Sequence, residues 1–548
     1  MKSGDLDRGE YLRSRIRAPI LWIIIPLVVG YSVARVLPRV SWVFLLCLGG
    51  LLGAIWVVAW WKRLHRELFW RAVGVVCIFV VSWGYLLARL PLELDWAGRP
   101  EREANLVLRV IQVGSLDKYD RWSGYGEVVG ASRHLEELIG QKVSFALSWR
   151  DREGEMLVRS QVVKVRGILS SIARNTDNAY EGYLYSQGIG FKLSRGQILE
   201  TEFEPSGLFK FCERQREYLE EILAWGRGRD DGVVSLYRAM LLGNQASLTP
   251  DQKYAFRMTG SFHLFSVSGL HVAMVAVCIA FLMKWVRMSS VLGGVIGLFV
   301  LFLYVEITGG APSAMRAFLM VAFYWGARVF RRKKSAFSAL LASGLVALIV
   351  NPFDLFNIGF QLSYGVVGSI LLYGVPLNEV VNNWFNVRFG EGHVALKNSL
   401  RWLFNLLGIS LAANIGSTFL TILYFKTFAP GAVLLSVVVI PLASLVIVMG
   451  CFSLLLGLIE LSMLSGFINP ISWWVIRVME MCVKFSLKIP GLFWESVEMW
   501  SILVYMALGA VFVILYLGHV FNKLRRLVFY SLPIMIIVLF TTLGVYMN

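Results

Sequence analysis

The sequence predicts a polytopic α-helical membrane protein of about thirteen spanning helices, with a small extracytoplasmic β-barrel, OB-like, inserted after the third. Three observations predict it. Hydrophobic residues make up 57% of the 548 and charged residues only 16%, where water-soluble domains carry roughly 25% charge because their surface must face water. Apolar runs close to the roughly 20 residues that a bilayer core requires recur along the chain. One interval, about 95–206, breaks this pattern with frequent charges and short stretches of alternating polarity. The composition excludes disordered, fibrous and ordinary cytosolic classes.

The first apolar run, about Ile20 to Leu37, follows a basic leader with Arg8, Arg13, Arg15 and Arg17. Such a run could pass for a signal peptide, but no small-residue cleavage site stands out. Two more apolar runs follow at once, near Ser41–Trp61 and Trp70–Leu90, so residues 1–94 read as three membrane helices. In 95–206, the stretches Asn105–Val113, Lys142–Trp149 and Glu155–Val165 alternate with period two, which argues for strands with one buried face. Short strands over about a hundred residues suit a small barrel of the OB kind. Residues 207–262 read as an amphipathic, interfacial helical connector, with a helix near Leu208–Leu223. From 263 to 548 the apolar runs predict about ten helices, near 263–285, 290–308, 312–330, 335–350, 357–375, 402–425, 432–459, 467–489, 500–518 and 527–547.

The charge is lopsided: 53 Lys and Arg against 36 Asp and Glu, a net +17 and a pI near 9.6. In a soluble protein such an excess suggests nucleic acid; in a membrane protein it first reflects cationic loops held in the cytoplasm. With the leader cytoplasmic, the inside loops hold Lys62, Arg63, Arg66 and Arg71, then Lys284 and Arg287. Further along they hold Arg328, Arg331, Arg332, Lys333 and Lys334, Arg388 and Lys397, and finally Lys523, Arg525 and Arg526. The outside turns near 309–311, 351–356 and 490–499 carry no Lys or Arg. This orientation puts the strand-rich domain outside the cytoplasm. The six cysteines show no CxxC spacing and five lie in apolar runs, so neither a disulfide framework nor a zinc ribbon is indicated.

Three polar constellations interrupt the apolar core. Thr259-Gly-Ser-Phe-His263-Leu-Phe-Ser266-Val-Ser268-Gly269-Leu-His271 is the densest. Polar groups at membrane depth line a cavity or pathway, because lipid cannot satisfy them; the plainer account is an interfacial loop bonded to its own backbone. His263 and His271 are roughly 12 Å apart on an ideal helix, too far to chelate one ion. No HExxH run exists, and no metal or other cofactor is expected. Ser268 and His271 could suit a hydrolase, but Val267-Ser268-Gly269 lacks the first glycine of a nucleophile elbow. The second constellation runs from Glu306 through Thr308 and Pro312 to Arg316. Arg316 either snorkels to the interface, or pairs with Glu306, or faces a wet path where its planar fork suits a phosphate. The third runs from Asn351 to Gly365, and its Gln361, Ser363 and Tyr364 either line a path or pack helices through small and hydroxyl residues. Arg477 and Glu480, three apart, read as an intrahelical ion pair.

Together these constellations resemble the ComEC family of competence proteins. Gly260, His263, Ser268, Gly269 and His271 match its Gly-x-x-His-x-x-x-x-Ser-Gly-x-His stretch. Thr308, Gly309, Pro312, Ser313, Arg316 and Ala317 match its Thr-Gly…Pro-Ser…Arg-Ala segment. Asn351, Pro352, Gly359, Phe360, Gln361, Leu362 and Ser363 match its Asn-Pro…Gly-Phe-Gln-Leu-Ser run, and Ala412-Ala-Asn414 with Pro441 adds a fourth match. Upstream, Asn178, Tyr183, Leu184, Gln187, Gly188 and Ile189 look like the end of the family's OB-like domain. The resemblance covers about residues 20 to 460. It departs at Ser436, where the family usually has Asn, and in the lack of the metallo-β-lactamase-like domain that ends many members.

The resemblance implies a channel that passes one DNA strand through the cytoplasmic membrane during natural transformation, not an enzyme. Its implied path residues are His263, Ser266, Ser268, Gly269, His271, Glu306, Arg316, Gln361, Ser363 and Tyr364. Its implied partners are single-stranded DNA, the lipid bilayer, a DNA receptor, a separate nuclease and a cytoplasmic ATP-driven motor, since no Walker A run (GxxxxGK[ST]) is present. The barrel segment offers no net attraction to DNA: Arg99 to Pro205 holds fifteen Lys or Arg and fifteen Asp or Glu. The other expectations are a secondary transporter for a small anion and a membrane-embedded serine hydrolase.

Overall fold

Long apolar runs become helices here because in lipid each backbone N–H and C=O must find its partner within the segment. The structure is a computed structural model. It describes residues 20–37, 41–61, 67–90, 101–116, 121–149, 157–172, 179–228, 231–245, 247–332, 334–388, 394–495, 497, 499–520 and 528–546. The leader arginines, Lys62, Arg63, Arg66, Asn178, Lys333, Lys523, Arg525 and Arg526 lie outside the described residues, as does the start of the 155–165 stretch. Seven described helices are long and apolar enough to cross a bilayer, and five shorter apolar helices accompany them. The chain divides into two units, Pro19–Gln215 with Leu345–Asn357, and Arg216–Gly344 with Ile358–Asn548.

In the first unit, α1 (Leu21–Val36), α2 (Trp42–Trp61) and α3 (Glu67–Arg89) precede five strands. These are β1 (Arg102–Leu116), β2 (Trp122–Ala131), β3 (Lys142–Trp149), β4 (Val162–Ser171) and β5 (Ile189–Phe203), with α4 (Ala179–Ser186) before β5. They close into a barrel in the order β1-β2-β3-β5-β4, with β3 and β5 parallel and the other pairs antiparallel. Period-two alternation sends Ala104, Leu106, Leu108 and Val110 inward to meet Val128, Phe145, Leu147, Val165 and Leu193. β2 and β5 escape the alternation rule because Gly124, Gly126 and Gly196 sit at inward or crowded positions. A Cβ at Gly124 would lie 2.8 Å from the Phe145 ring. The 155–165 stretch becomes a strand only from Val162; Gln161 instead folds its side chain back to the Val158 N–H.

The same unit holds residues 345–357. α11 (Ala336–Val350) ends here, and its last carbonyls lack helical partners. The Tyr31 hydroxyl donates to the Leu348 carbonyl (3.1 Å) and the Tyr85 hydroxyl to that of Ile349 (2.8 Å). Gly188 adopts φ +76° and faces Phe353 so closely that a Cβ would lie 2.9 Å from the ring, while Asn357 Nδ2 donates to Gln187 Oε1 at 2.7 Å. The Gln187-Gly188-Ile189 run and the Asn351–Asn357 run are therefore partners in space. Burial pushes the Lys142 ammonium below its ordinary range, with the Asp354 carboxylate opposing the shift.

The second unit begins with the end of α5 (Gly207–Ala224), then α6 (Gly232–Leu242) and α7 (Pro250–Met258). The connector is not interfacial throughout: every residue of α6 from Val233 to Leu242 is buried. It packs on α15 (Ala432–Leu458) and α16 (Ser462–Ser486), where Gly450 leaves room for Leu241 and Gly457 for Ile222. The remaining helices are α8 (Gly269–Trp285), α9 (Ser290–Ile307), α10 (Pro312–Val329), α12 (Ile358–Ser369), α13 (Val375–Arg388), α14 (Val394–Phe425), α17 (Ser501–Val520) and α18 (Val528–Tyr546). A wide turn over Ile370–Gly374 joins α12 to α13, so the helix expected near 357–375 runs on to Arg388. The span expected at 263–285 is Phe262–Trp285, and its regular α-helix begins at Gly269, after a short tight turn at Phe262–Leu264. Glu480 pairs with Lys484 at 2.9 Å, one turn on, rather than with Arg477.

Candidate membrane-embedded polar site

Residues 259–268 break the helix and satisfy their own backbone. Gly260 turns the chain at φ +69°, a conformation that costs a side-chain-bearing residue roughly 1–2 kcal/mol. Thr259 Oγ1 donates to the Ala255 carbonyl (3.0 Å), and the Ser266 hydroxyl to the His263 carbonyl (3.2 Å). His263 is exposed, with Nδ1 2.9 Å from the Gly260 carbonyl.

Ser268 and His271 then open α8. The Ser268 backbone N–H (3.3 Å) and Oγ (2.9 Å) both approach His271 Nδ1. His271 thus occupies the place that Glu or Gln takes in a capping box, returning a bond to the residue that starts the helix. A ring nitrogen that accepts a backbone N–H carries no proton, so Nε2 holds it. His271 is fully buried, and Nε2 meets no hydrogen-bond acceptor of good geometry among the described residues. Gly269, beside it, is exposed and faces Ala317 of α10.

The second constellation meets the first. Ser313 Oγ, one residue into α10, donates to the Val267 carbonyl at 2.8 Å. Gly309 and Gly310 both adopt positive φ and end α9 by bonding back to the Glu306 and Val305 carbonyls. Glu306 and Arg316 are both buried.

Arg316 reaches the third constellation. Its Nη2 donates to the Gly359 carbonyl at 2.7 Å, and its guanidinium lies 5.9 Å from the Phe360 ring centre. Gly359 stands in the first turn of α12. Gln361 Oε1 accepts from the Tyr424 hydroxyl (3.2 Å), which also contacts the Tyr505 hydroxyl (3.0 Å). Tyr364 turns the other way and donates to Ser343 Oγ at 3.1 Å. Ser363 is half-buried. The chain from His271 through Ser313 and Arg316 to Gln361 is continuous; Tyr364 belongs instead to the contact with α11.

Two polar groups on this scaffold escaped the sequence reading. Asn469 is fully buried, donates to the Ile222 carbonyl (2.8 Å) and accepts from Ser453 Oγ (2.7 Å). Glu220 gathers Arg238, Asn244 Nδ2 (3.0 Å) and Arg216 (3.7 Å). The signal for the second pair was present: Glu220 and Arg216 are four apart on the polar face of α5. Among the described residues, no group of three or more His, Cys, Asp or Glu side chains could hold a metal ion.

Helices of spanning length and a set of polar side chains that link their ends, His271 and Arg316 buried among them, define a helical membrane protein. The family described as competence protein matches residues 240–520, more than half of the chain, and the chain belongs to that family. It is 26% identical to ComE operon protein 3 of Bacillus subtilis over 288 residues, 53% of this chain and 34% of that one. It is 32% identical to competence protein ComA of Neisseria gonorrhoeae over 160 residues, 26% of this chain and 22% of that one. An uncharacterized protein of Escherichia coli, YcaI, is 22% identical over 320 residues, 55% of this chain and 39% of that one. The chain therefore spans only 22% to 39% of the length of these curated relatives. No solved structure matches it.

Proposed function

We propose that this protein passes single-stranded DNA through the cytoplasmic membrane during natural transformation, acting as a channel and not as an enzyme. The observation that carries the reading is the convergence of three polar motifs, distant in sequence, through Ser313–Val267 and Arg316–Gly359 inside the family-matched region. Buried polar and cationic groups at membrane depth are expensive unless they serve a path, and a passing phosphodiester needs cationic and hydrogen-bonding contacts. In this reading His263, Ser266, Ser268, Gly269, His271, Glu306, Arg316, Gln361 and Ser363 border the path.

α1–α3 and the ten membrane segments from α8 onward make thirteen spans, with the leader cytoplasmic and the barrel outside. The lack of Lys and Arg in the 309–311 and 351–356 turns supports that orientation. Greek-key pairing of five strands supports an OB-like fold. A DNA receptor, a separate nuclease and an ATP-driven motor complete the system. The Ser268–His271 contact favours structure over hydrolysis, because His271 Nδ1 is engaged by the backbone N–H of Ser268 itself.

The test is arrival of fluorescent DNA in the cytoplasm of cells carrying His271→Ala or Arg316→Ala. A contact made by a charged donor is worth about 1.5–3 kcal/mol, so Arg316→Ala is expected to lower uptake about tenfold or more with the protein still inserted. Unchanged uptake in both variants overturns the reading, and phosphate uptake by reconstituted vesicles in place of DNA would assign the path to a small anion.

A further inference from the structure

Two segments that no polar motif includes pair beside the 259–268 stretch. Residues 426–431, between α14 and α15, run antiparallel to residues 492–495 and 497, between α16 and α17. Phe428 N–H donates to the Trp494 carbonyl (3.0 Å) and Trp494 N–H to the Phe428 carbonyl (2.9 Å). Val497 N–H bonds the Lys426 carbonyl and Gly431 N–H that of Leu492, both at 3.0 Å. This narrow ladder holds the two rings stacked, with centroids 5.5 Å apart and planes at 18°. Phe428 is the more enclosed of the two, whereas Trp494 keeps 45% of its surface open.

The surroundings hold two exposed cations and the Glu495 carboxylate, and they are tied to the polar site. Tyr254 of α7 donates to Glu495 Oε1 at 2.9 Å, bringing the end of α7 against the ladder. Exposed Arg257, one turn later, sits 5.7 Å from the Phe262 ring centre. Gly260 follows, and a Cβ there would lie 4.0 Å from that of Ala429 and 3.7 Å from that of Ala432. Exposed Lys426 lies at the ladder's other end. An open indole backed by a second ring, with Lys426 in the same ladder and Arg257 on the helix that Tyr254 ties to it, has the makings of a site for a base with its phosphates.

We propose that Trp494, backed by Phe428, is a stacking platform for an unpaired nucleobase, with Arg257 and Lys426 taking the adjacent phosphates. The inference rests on the DNA-path reading and names the first protein surface that the strand meets beside the 259–268 turn. A membrane-anchoring indole would share the exposure but would have no reason to stack on a cross-strand ring. Stacking is indifferent to base identity, since every base has a π face, which suits a device that must accept any sequence.

The test measures binding of a fluorescent 20-nucleotide oligothymidylate, and of an abasic oligomer of equal length, to the whole protein in nanodiscs. Base–aromatic stacking contributes about 1–3 kcal/mol per base, so Trp494→Ala is expected to weaken oligothymidylate binding about tenfold and leave abasic binding unchanged. Trp494→Phe should retain most of the affinity and shows that the ladder still forms. Equal binding by wild type and Trp494→Ala, or an equal loss for the abasic oligomer, overturns the platform while wild-type binding and DNA uptake leave the path reading standing. Failure of the wild-type protein to bind either oligomer overturns both.

Discussion

The 259–271 segment and the α12–α14 contact both put polar residues where the surroundings are apolar, and they do so in opposite ways. In the first, the helix is broken and short side chains serve the exposed backbone: Thr259, Ser266, Ser268 and His271 all bond within a few residues of themselves. In the second, the helices stay whole and approach until backbone meets backbone. A Cβ on Gly416 would lie 2.8 Å from the Gly365 carbonyl, and Ser369 Oγ donates across to the Ala412 carbonyl at 2.7 Å. Local bonding spends the polar groups on the segment's own backbone, whereas cross-helix bonding spends them in packing between helices. The difference teaches that similar polar content breaks one helix and joins two others.

Crowding the packed contact should give the largest loss. Gly416→Ala forces α12 and α14 apart and is expected to destabilise the protein by about 1–3 kcal/mol, the usual range for overpacking, read as a lowered melting temperature in detergent. A Gly416→Ala protein that melts like wild type would show that the contact is looser than its geometry. A smaller effect is expected in the broken segment. Gly260 has open space around it, with the nearest atom 3.7 Å from a Cβ, so Gly260→Ala meets only the backbone strain of φ +69°, about 1 kcal/mol. DNA uptake should fall more than that stability loss explains, because the turn aims His263 and Arg257; a drop in stability with full uptake would remove the segment from the path.

The smallest effect lies outside both regions and calibrates them. On the barrel, Arg166 Nε donates to Glu103 Oε1 at 2.6 Å, and this bond holds the carboxyl below its ordinary range of about 4.5. A depressed carboxyl contributes stability above its unfolded value and loses it as the pH falls through the folded one. Both side chains are more than half exposed, so solvent screens the pair. Glu103→Gln should therefore change protease resistance of the barrel only slightly at neutral pH and not at all well below pH 4.5. A large change at neutral pH would mean that the pair is more enclosed than its exposure indicates.

Much of the architecture was legible because its cause is local. An apolar run near 20 residues long has one stable form in lipid, and so the boundaries of α9, α10 and α11 fall within a residue or two of where hydrophobicity ends. β3 coincides with its alternating stretch. β2 and β5 were not legible, because glycines replace the side chains that would show the alternation. α6 was missed as a buried element: it is flanked by polar loops, and only tertiary contacts such as that of Gly450 in α15 with Leu241 reveal that helices lie against it. For the candidate site, the residue types at 259–271 announced a broken helix, since Gly and Ser beside His cannot all be satisfied in a regular one.

By itself, then, the order of residues determined where most of the long helices run and which interval forms strands, because those choices depend on neighbours within a few positions. Only the tertiary structure decided which turns meet. That Arg316 bonds Gly359, that Gln187 and Gly188 lie on the 351–357 run, and that Trp494 stacks on Phe428 all depend on chain segments tens to hundreds of residues apart. Such pairings are set by which surfaces fit when the whole chain packs, and no spacing within one segment encodes them.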